Sequence, residues 1–357
     1  MKGGCVITPN LGCFCDNYLF IFEKYNSNTM KVISLLVYED AVLSSVSGAL
    51  DLLNAANGLL QSSGKPPAFK FELVSEKLKN IQLNLPAQFI CSKTFSEVTH
   101  SDLILVPAFY IGPDEALNKN KTFISWIREM REKGTEIASL CMGSYFLAEA
   151  GILSGKSCTS HWMAIEDMKQ RYPDVTVLSD VVMTDQEGIY TSGGALISWN
   201  LIIYLIEKFC GKETAVSISK MFNIDFNRES QTHFAVFQGQ RRHEDDEILK
   251  AQVFIEQNYH KPISIEQIAE QTNMSTRNFI RRFKAATQNT PLEYLQRVKV
   301  ESAKKSLESG TDSISSLMYD AGYNDLKTFR TIFKRITGLT PQEYRKKYSR
   351  MGVMVES

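Results

Sequence analysis

Two stretches near the carboxyl end of the chain, residues 279–294 (FIRRFKAATQNTPLEY) and residues 329–344 (FRTIFKRITGLTPQEY), carry the same residue at eight of 16 aligned positions. The shared residues include two phenylalanines spaced four apart, a Thr-Pro pair and a Glu-Tyr pair. Self-similarity at a fixed shift, here 50 residues, is the sequence signature of a repeated structural unit. The C-terminal third of the chain is therefore predicted to contain two copies of one helical unit.

Each copy reads as a helix, a short turn and a second helix. Ser264 and Ser275 are placed to cap the two helices of the first unit, and Asn324 the second helix of the other unit. The phenylalanines, at i and i+4, lie on one face of the second helix and are expected to point inward. A long helix, residues 291–307, is expected to join the units and to set their separation near one turn of DNA, ~34 Å.

The second helix of each unit is then left with a polar, largely basic outer face. Its members are predicted to be Thr276, Arg277, Ile280 and Arg281 in the first unit, and Lys327, Arg330, Thr331 and Lys334 in the second. An α-helix fits the major groove of DNA, and arginine can donate two parallel hydrogen bonds to guanine. Double-stranded DNA is the predicted partner. The alternative is a helical bundle with merely solvated basic residues, and the repeat, the caps and the charge disfavour it.

The charge distribution supports DNA binding. Residues 250–350 hold 18 Lys+Arg and 10 Asp+Glu, a net charge of +8, whereas the other residues hold 22 and 30, a net charge of −8. The chain as a whole has a formal net charge of +0 over 357 residues, a length that suits about two domains. A basic module attached to an acidic body is typical of a nucleic-acid-binding domain joined to a domain of another kind.

The preceding region alternates between strand and helix patterns. Short Val/Ile/Leu-rich runs predict strands at Lys31–Tyr38, Phe69–Ser75, Asp102–Pro107, Thr135–Leu140 and Val175–Leu178. Helical periodicity is found at Ser45–Leu60, Pro113–Lys133, Gly143–Ala150, His161–Tyr172 and Gly194–Phe209. This alternation indicates an α/β domain with a flavodoxin-like, doubly wound parallel sheet, followed by an all-α domain with two helix-turn-helix units.

The predicted organisation has four parts. Residues 1–29 form a loose N-terminal extension, and residue 30 opens the folded region; residues 30–221 form the α/β domain, 222–246 a polar linker, and 247–350 the DNA-binding domain. No apolar run reaches the ~18–20 residues of a membrane helix. The seven cysteines, with no export signal, favour a reducing cytoplasm. Three of them (Cys5, Cys13 and Cys15) lie together without a nearby histidine, so no metal site or other cofactor is predicted.

One segment of the α/β domain has the pattern of a reactive site. The strand Thr135–Leu140 runs into Cys141 and Met142, and a helix follows, as in a nucleophile elbow. A helix N-terminus favours thiolate and would lower the pKa of the Cys141 thiol. The elbow would present this side chain at the carboxyl end of the sheet, where such folds bind ligands. The plainer interpretation is that Cys141 is a small buried residue at a tight turn.

Three further residues are candidates for the same ligand site. His161 follows Cys141 by twenty residues and can approach it only through the fold. It is also a candidate for an ordinary core histidine. Gly193 and Gly194 lie where a predicted helix begins, so they mark either a tight turn or a helix N-terminus able to hold an anionic group.

The repeat resembles the AraC/XylS family of bacterial regulators. Residues 265–294 are similar to the family's first helix-turn-helix unit, and residues 320–344 (DAGYNDLKTFRTIFKRITGLTPQEY) are similar to its signature. Thr331 stands where the family usually has a basic residue, which implies that the second helix reads bases less tightly than the first. The resemblance implies a homodimer and favours an activator, which would contact RNA polymerase, over a repressor.

Residues 31–211 resemble the ThiJ/PfpI, or class I glutamine amidotransferase-like, domain. Residues 138–162 (ASLCMGSYFLAEAGILSGKSCTSHW) are most similar to regulators that join this domain to an AraC-type module, often called GlxA-like. Ser45 stands where the enzymes carry an acidic residue, and Met142 where the peptidases have histidine. A nucleophile without a positioned base is poorly equipped for turnover. We therefore expect no catalytic residues and a sensor for a small metabolite, with Cys141, Met142, His161, Ser45, Gly193 and Gly194 lining its site.

Two alternatives assign chemistry to the cysteine. In one, Cys141 is the nucleophile of an amidase- or peptidase-like hydrolase. In the other, its reversible oxidation makes the protein a redox sensor.

Overall fold

The computed structural model describes residues 30–77, 80–225, 230–241, 243–309 and 312–349. They form two compact units, and the chain passes from the first to the second between Gln231 and Thr232. This division falls inside the segment predicted as a linker, 222–246. The predicted extension, 1–29, with its three cysteines, lies outside the described residues.

The first unit is an α/β domain built on a seven-stranded sheet. The described strands are β1 (Lys31–Leu36), β2 (Phe69–Ser75), β3 (Asn80–Gln82), β4 (Gln88–Ile90), β5 (Lys93–Thr94), β6 (Leu103–Val106), β7 (Glu136–Ser139), β8 (Ser157–Cys158), β9 (Thr176–Val177), β10 (Met183–Gln186) and β11 (Ile189–Ser192). The order in the large sheet is β10-β11-β7-β6-β1-β2-β5. All neighbours in the large sheet are parallel except β10 and β11, so the predicted parallel sheet is confirmed with one antiparallel edge strand.

Helices cover this sheet and bury its central strands. They are α1 (Leu43–Ser62), α2 (Pro113–Lys119), α3 (Lys121–Glu132), α4 (Ser144–Glu149), α5 (Ile165–Arg171), α6 (Ser198–Cys210) and α7 (Lys212–Met221). Every residue of β6 is buried, as expected for a strand covered on both faces. The carboxyl ends of the central parallel strands share one edge, which is where the elbow at Cys141 lies.

Two predictions about elements of this unit were wrong in detail, and one strand was not predicted. Val175–Leu178 does not enter the large sheet: β9 is two residues long and pairs with β8. The strand beside β7 is β11, whose Tyr, Thr and Ser residues lack the aliphatic run that identified the others. The helix predicted over Pro113–Lys133 is divided at Asn120, whose side-chain amide donates to the carbonyl of Ala116 at 2.8 Å.

The second unit is entirely helical in the residues that the structure describes. Its helices are α8 (Asp246–Asn258), α9 (Ile265–Glu270), α10 (Thr276–Thr287), α11 (Pro291–Ser309), α12 (Ile314–Asp320), α13 (Leu326–Thr337) and α14 (Pro341–Tyr348). The pairs α9–α10 and α12–α13 are the two predicted helix-turn-helix units, and α11 is the helix that joins them.

The caps of these helices follow the sequence in all but one case. Ser264 and Ser275 accept hydrogen bonds from N–H groups in the first turns of α9 and α10, as predicted. Asn324 does not cap α13. The cap is Asp325, whose carboxylate accepts the N–H of Thr328 at 2.6 Å. Both residue types are good caps, so the sequence left a one-residue ambiguity.

Each helix-turn-helix unit closes on its own aromatic core. Phe279 and Phe283 are fully buried and meet the ring of Tyr294, which lies 5.3 Å from that of Phe283. The second unit repeats the arrangement with Phe329, Phe333 and Tyr344. The predicted inward orientation of the paired phenylalanines is confirmed in both.

Glycine substitutions test the packing beneath the elbow. A Cβ on Gly143 would lie 2.5 Å from the carbonyl oxygen of Val106 and 2.8 Å from that of Pro107. These are backbone atoms that cannot rotate away, so Gly143→Ala should lower the free energy of unfolding by about 1–3 kcal/mol. The matched control is Gly58→Ala in α1, where nothing lies within 4 Å and the change should stabilise by roughly 0.5–1 kcal/mol. Urea denaturation of both variants measures this; equal effects would contradict the packing described.

Candidate functional site

The second helix of the first helix-turn-helix unit, α10, presents a basic face to solvent. Arg277, Ile280 and Arg281 are exposed, and Ile280 is 37% exposed although it is aliphatic. Thr276, at the start of the helix, is half-buried. The Arg281 guanidinium donates to the side chain of Asn278 at 2.9 Å. The helix therefore offers two arginines on the side opposite its phenylalanines.

A third arginine of α10 serves a different purpose. Arg282 forms a two-pronged ion pair with Asp245, at 3.0 Å from Nε and 2.8 Å from Nη2. Burial raises the pKa of Asp245, but the hydrogen bonds from Arg282 and from the Ile248 N–H outweigh it and lower the pKa overall. Asp245 also caps α8, so Arg282 ties α10 to the start of α8. The helical periodicity placed Arg282 off the predicted outer face. Its ion pair with Asp245 could not be predicted from the sequence.

The corresponding face of α13 carries three cations. Lys327, Arg330 and Lys334 are exposed, as is Thr331. The Thr331 hydroxyl donates to the carbonyl of Lys327 within the same helix at 2.9 Å. Because that hydroxyl already has a partner and carries no charge, α13 has a weaker set of donors at this position than α10 has at Arg281.

Cys141 has the strained backbone of an elbow. It lies two residues beyond the end of β7, its φ is 56°, and a short 3₁₀ turn at Cys141–Gly143 leads into α4. Two serine hydroxyls converge on its carbonyl oxygen, Ser144 at 3.3 Å and Ser160 at 3.2 Å. A left-handed conformation at a residue other than glycine persists only where the surroundings impose it, and such strain concentrates at functional positions.

The thiol of Cys141 does not have the low pKa expected from a helix N-terminus. The residue is 8% exposed, and its burial raises the thiol pKa even though the N–H groups of Ala195 and Met142 act to lower it. The prediction of an activated, exposed thiolate was therefore wrong. Desolvation outweighs the two N–H donors because the charged form loses its water.

His161 packs against the backbone of Gly194. A β-carbon at Gly194 would overlap the imidazole ring, so glycine is required for the ring to lie there. Nδ1 of His161 accepts the N–H of Met163 at 3.1 Å, which leaves the proton on Nε2, and burial lowers the pKa of the ring. Across the residues that the structure describes, no hydrogen bond joins His161 to the Cys141 thiol. The ring of His161 is thus a neutral packing surface and is not positioned to take a proton from Cys141.

Gly193 makes room for a residue that sequence reasoning missed. A Cβ on Gly193 would lie 2.7 Å from the side-chain oxygen of Gln231. Gln231 is fully buried, and its amide nitrogen donates to the carbonyl of Ser160 at 2.9 Å. Neither glycine has a positive φ, so the pair permits close approach and is not a left-handed turn. Gln231 lay in the segment interpreted as a linker, and nothing in a single sequence marks one polar linker residue as buried.

The other two candidates line the same edge of the sheet by different contacts. The Ser45 hydroxyl donates to the carbonyl of Val42 at 2.6 Å and accepts the N–H of Ala108 at 3.3 Å. Ser45 therefore links the start of α1 to the turn after β6. Met142 is half-buried and packs against the main core.

Comparison with known proteins matches both units. Residues 36–207 match the DJ-1/PfpI family, and residues 268–347 match a helix-turn-helix domain. The chain is 23% identical to the HTH-type transcriptional regulator GbdR of Pseudomonas aeruginosa over 88% of this chain and 83% of that protein. It is 26% identical to the regulator CdhR of the same species over 62% of this chain and 66% of that one.

The fold and these matches define a class: a DNA-binding transcriptional regulator. More specifically, the chain joins a domain that matches the DJ-1/PfpI family to a helix-turn-helix domain similar to those of AraC-type regulators. No helix among the described residues combines the length and the apolar character needed to cross a membrane.

The raised pKa of Cys141 predicts slow alkylation. The rate of iodoacetamide labelling at this cysteine should reach half its maximum at a higher pH in the folded protein than in the urea-unfolded chain, because less thiolate forms at any given pH. Peptide mass spectrometry follows the site separately from the other cysteines. The urea-unfolded chain supplies the reference value for the same cysteine in the same peptide. A lower midpoint in the folded protein than in the unfolded chain would show that Cys141 is an activated nucleophile.

Two arginines of α10 should respond differently to removal. Arg277→Ala should weaken binding to a selected DNA site by ~1–3 kcal/mol if Arg277 donates two hydrogen bonds to one guanine, with little change in stability. Arg282→Ala, the matched control, should lower thermal stability by breaking the pair with Asp245 and leave base preference unchanged. Fluorescence anisotropy on the selected site and its single-base variants measures this. Unchanged preference in Arg277→Ala would remove that residue from base readout.

Proposed function

We propose that this protein is a cytoplasmic, metabolite-controlled transcription regulator that acts as a homodimer. A small molecule bound at the carboxyl edge of the α/β sheet, beside Cys141, changes how the helix-turn-helix units engage an operator. An effector shifts such an equilibrium only through different affinities for the two states, typically by ~1–3 kcal/mol. The proposed operator contacts are the outward residues of α10 and α13.

The observation that carries the proposal is the pair of solvent-facing basic helix surfaces on a repeated scaffold. In both units the buried phenylalanines fix the helix rotation, so Arg277 and Arg281 on α10 and Arg330 on α13 are exposed to solvent. The single helix α11 joins the two units, and a rigid spacer is what two readers of one DNA face require.

The α/β domain is proposed to sense rather than catalyse. The thiol of Cys141 has a raised pKa, the neutral ring of His161 has its Nδ1 engaged by a backbone N–H, and Ser45 stands where an acid would be needed. Hydrolysis needs a nucleophile with a base in hydrogen-bond reach. Reversible oxidation needs an accessible thiolate. The described geometry favours neither hydrolysis nor reversible oxidation at Cys141. The buried polar groups beside Cys141 are suited to binding a ligand.

Activation is proposed over repression, with RNA polymerase as a further partner. The support is the resemblance of the DNA-binding domain to the AraC/XylS family. Operator symmetry mirrors protein symmetry, so a homodimer would bind two matching half-sites.

The salt dependence of DNA binding tests the proposal. The full-length chain should select a duplex from a random pool. Its association constant should fall steeply as the salt concentration rises, because lysine and arginine side chains that contact phosphates release the counterions condensed on the DNA. Lys327→Glu with Arg330→Glu should weaken binding at least tenfold and flatten the slope. The control, Lys169→Glu on α5 of the other unit, should leave the slope unchanged. A wild-type chain that selects no duplex, or a slope unaltered by the α13 pair, would contradict the proposal.

A further inference from the structure

The buried amide of Gln231 occupies a polar subsite beside the elbow. Its nitrogen donates to the carbonyls of Ser160 at 2.9 Å and Val181 at 3.3 Å and to the Thr159 hydroxyl at 3.2 Å. Its oxygen accepts the N–H of Gly194 at 3.4 Å. Every polar atom of the side chain is therefore matched inside the first unit.

The shape and polarity of this subsite are selective. Two carbonyls and a hydroxyl require a donor with two hydrogens, and one N–H requires an acceptor beside it, which together describe a primary carboxamide. A carboxylate would place its charge against the two carbonyl oxygens without hydrogens to offer them. A tertiary amide has no N–H at all. Gly193 leaves no side chain in the way, since a Cβ there would lie 2.7 Å from the Gln231 oxygen.

The subsite is continuous with the candidate effector site. The hydroxyl of Ser160 donates to the carbonyl of Cys141 at 3.2 Å, and the carbonyl of Ser160 is the one that holds Gln231. His161 follows directly and packs on Gly194. A molecule that displaced the backbone at Ser160 would therefore also weaken the hydrogen bond from the Gln231 amide.

The residues that follow Gln231 are bound to the DNA-binding unit. The Thr232 hydroxyl donates to the carbonyl of Thr337, the last residue of α13, at 3.2 Å. Further along, Lys304 of α11 donates to the carbonyl of Ala235 at 2.5 Å. The Phe237 N–H donates to Glu301 of α11 at 3.1 Å. We call residues 232–237 the strap.

The strap is held by buried charge. The Lys304 side chain is 4% exposed and pairs with Glu301 at 2.9 Å, so both ends of this ion pair also hold strap backbone. The ring of Phe237 stands nearly perpendicular to that of Tyr294, with centroids 5.0 Å apart. Gln231, which is buried in the α/β domain, is thus joined by one peptide bond to the strap, which is hydrogen-bonded to α11 and α13.

We propose that the side chain of Gln231 occupies part of the effector site, and that an effector bearing a primary carboxamide displaces it. Displacement would release the strap, which is bound to α13, from its anchor in the α/β domain; we call this anchor the latch. The inference rests on the proposed function and names the regulation of its site. Expulsion exchanges one set of hydrogen bonds for an equivalent set. Because Gln231 is covalently tethered to the subsite, the ligand must gain further affinity from contacts outside it in order to displace the side chain. Because coupling between two sites is reciprocal, DNA bound at α13 should in turn alter the Gln231 subsite.

Chemical rescue tests the subsite without DNA. The side chain lost in Gln231→Ala corresponds to acetamide, so acetamide should raise the thermal unfolding midpoint of this variant more than that of the wild type. Acetate and N,N-dimethylacetamide at the same concentration should show no such difference. Gln238→Ala, an exposed glutamine of the adjacent segment, is the control and should respond like the wild type. Equal shifts by all three probes, or none in any variant, would overturn the carboxamide assignment.

Two variants test the latch from opposite sides of one contact. Gln231→Met keeps the volume but loses the hydrogen bonds, and Gly193→Ala pushes a Cβ against the amide. Both should change the apparent Kd for a selected operator in the same direction and by at least about fivefold, and the double variant should add little. Hydrogen exchange should show that operator DNA alters the Ser160–His161 and Gly194 amides in the wild type only.

The outcomes separate the latch from the function on which it rests. If the wild type binds DNA and both variants match it in affinity and in hydrogen exchange, the latch is wrong and the regulator stands. A wild type that binds no DNA overturns both. Should Gln231→Met fail to fold, Gly193→Ala decides alone, because it leaves Gln231 in place.

Discussion

The structure of the DNA-binding unit depends on one constraint, the burial of a phenylalanine pair at i and i+4 in each recognition helix. Phe279 and Phe283 in α10, and Phe329 and Phe333 in α13, are completely buried. Removing such a ring from a core costs about 3–5 kcal/mol, so the helix cannot rotate to bury another face. The direction in which every other residue of α10 and α13 points follows from that, including which arginines face solvent.

In the α/β unit the corresponding constraint is close backbone approach at the carboxyl edge of the sheet. Gly143 lies against the end of β6, Gly193 against Gln231, and Gly194 against His161. At each position a side chain would displace its neighbour. The elbow therefore lies close to the segment that carries the two later glycines, and the Cys141 N–H donates to the Ser192 hydroxyl. In these tightly packed surroundings the Cys141 thiol is desolvated, which disfavours the thiolate.

Features that repeat or alternate could be predicted from the sequence. The 50-residue repeat predicted both helix-turn-helix units, and aliphatic runs predicted the four central strands and their parallel pairing. Features set by tertiary contact could not. The strand β11 has polar and aromatic residues that resemble a loop, and Gln231 is polar in a polar segment. The pKa of Cys141 depends on how much water remains after folding, and a local motif such as a helix N-terminus gives the opposite sign.

We propose that the outward basic faces of α10 and α13, joined by α11, read the same face of DNA. Hydroxyl-radical footprinting of the full-length chain on a selected duplex measures which face is contacted. We expect protected patches on each half-site that are centred about one helical turn apart and lie on one face of the duplex, with Arg277→Ala weakening one patch and Arg330→Ala the other. Protection confined to a single patch in each half-site, or patches on opposite faces, would contradict it.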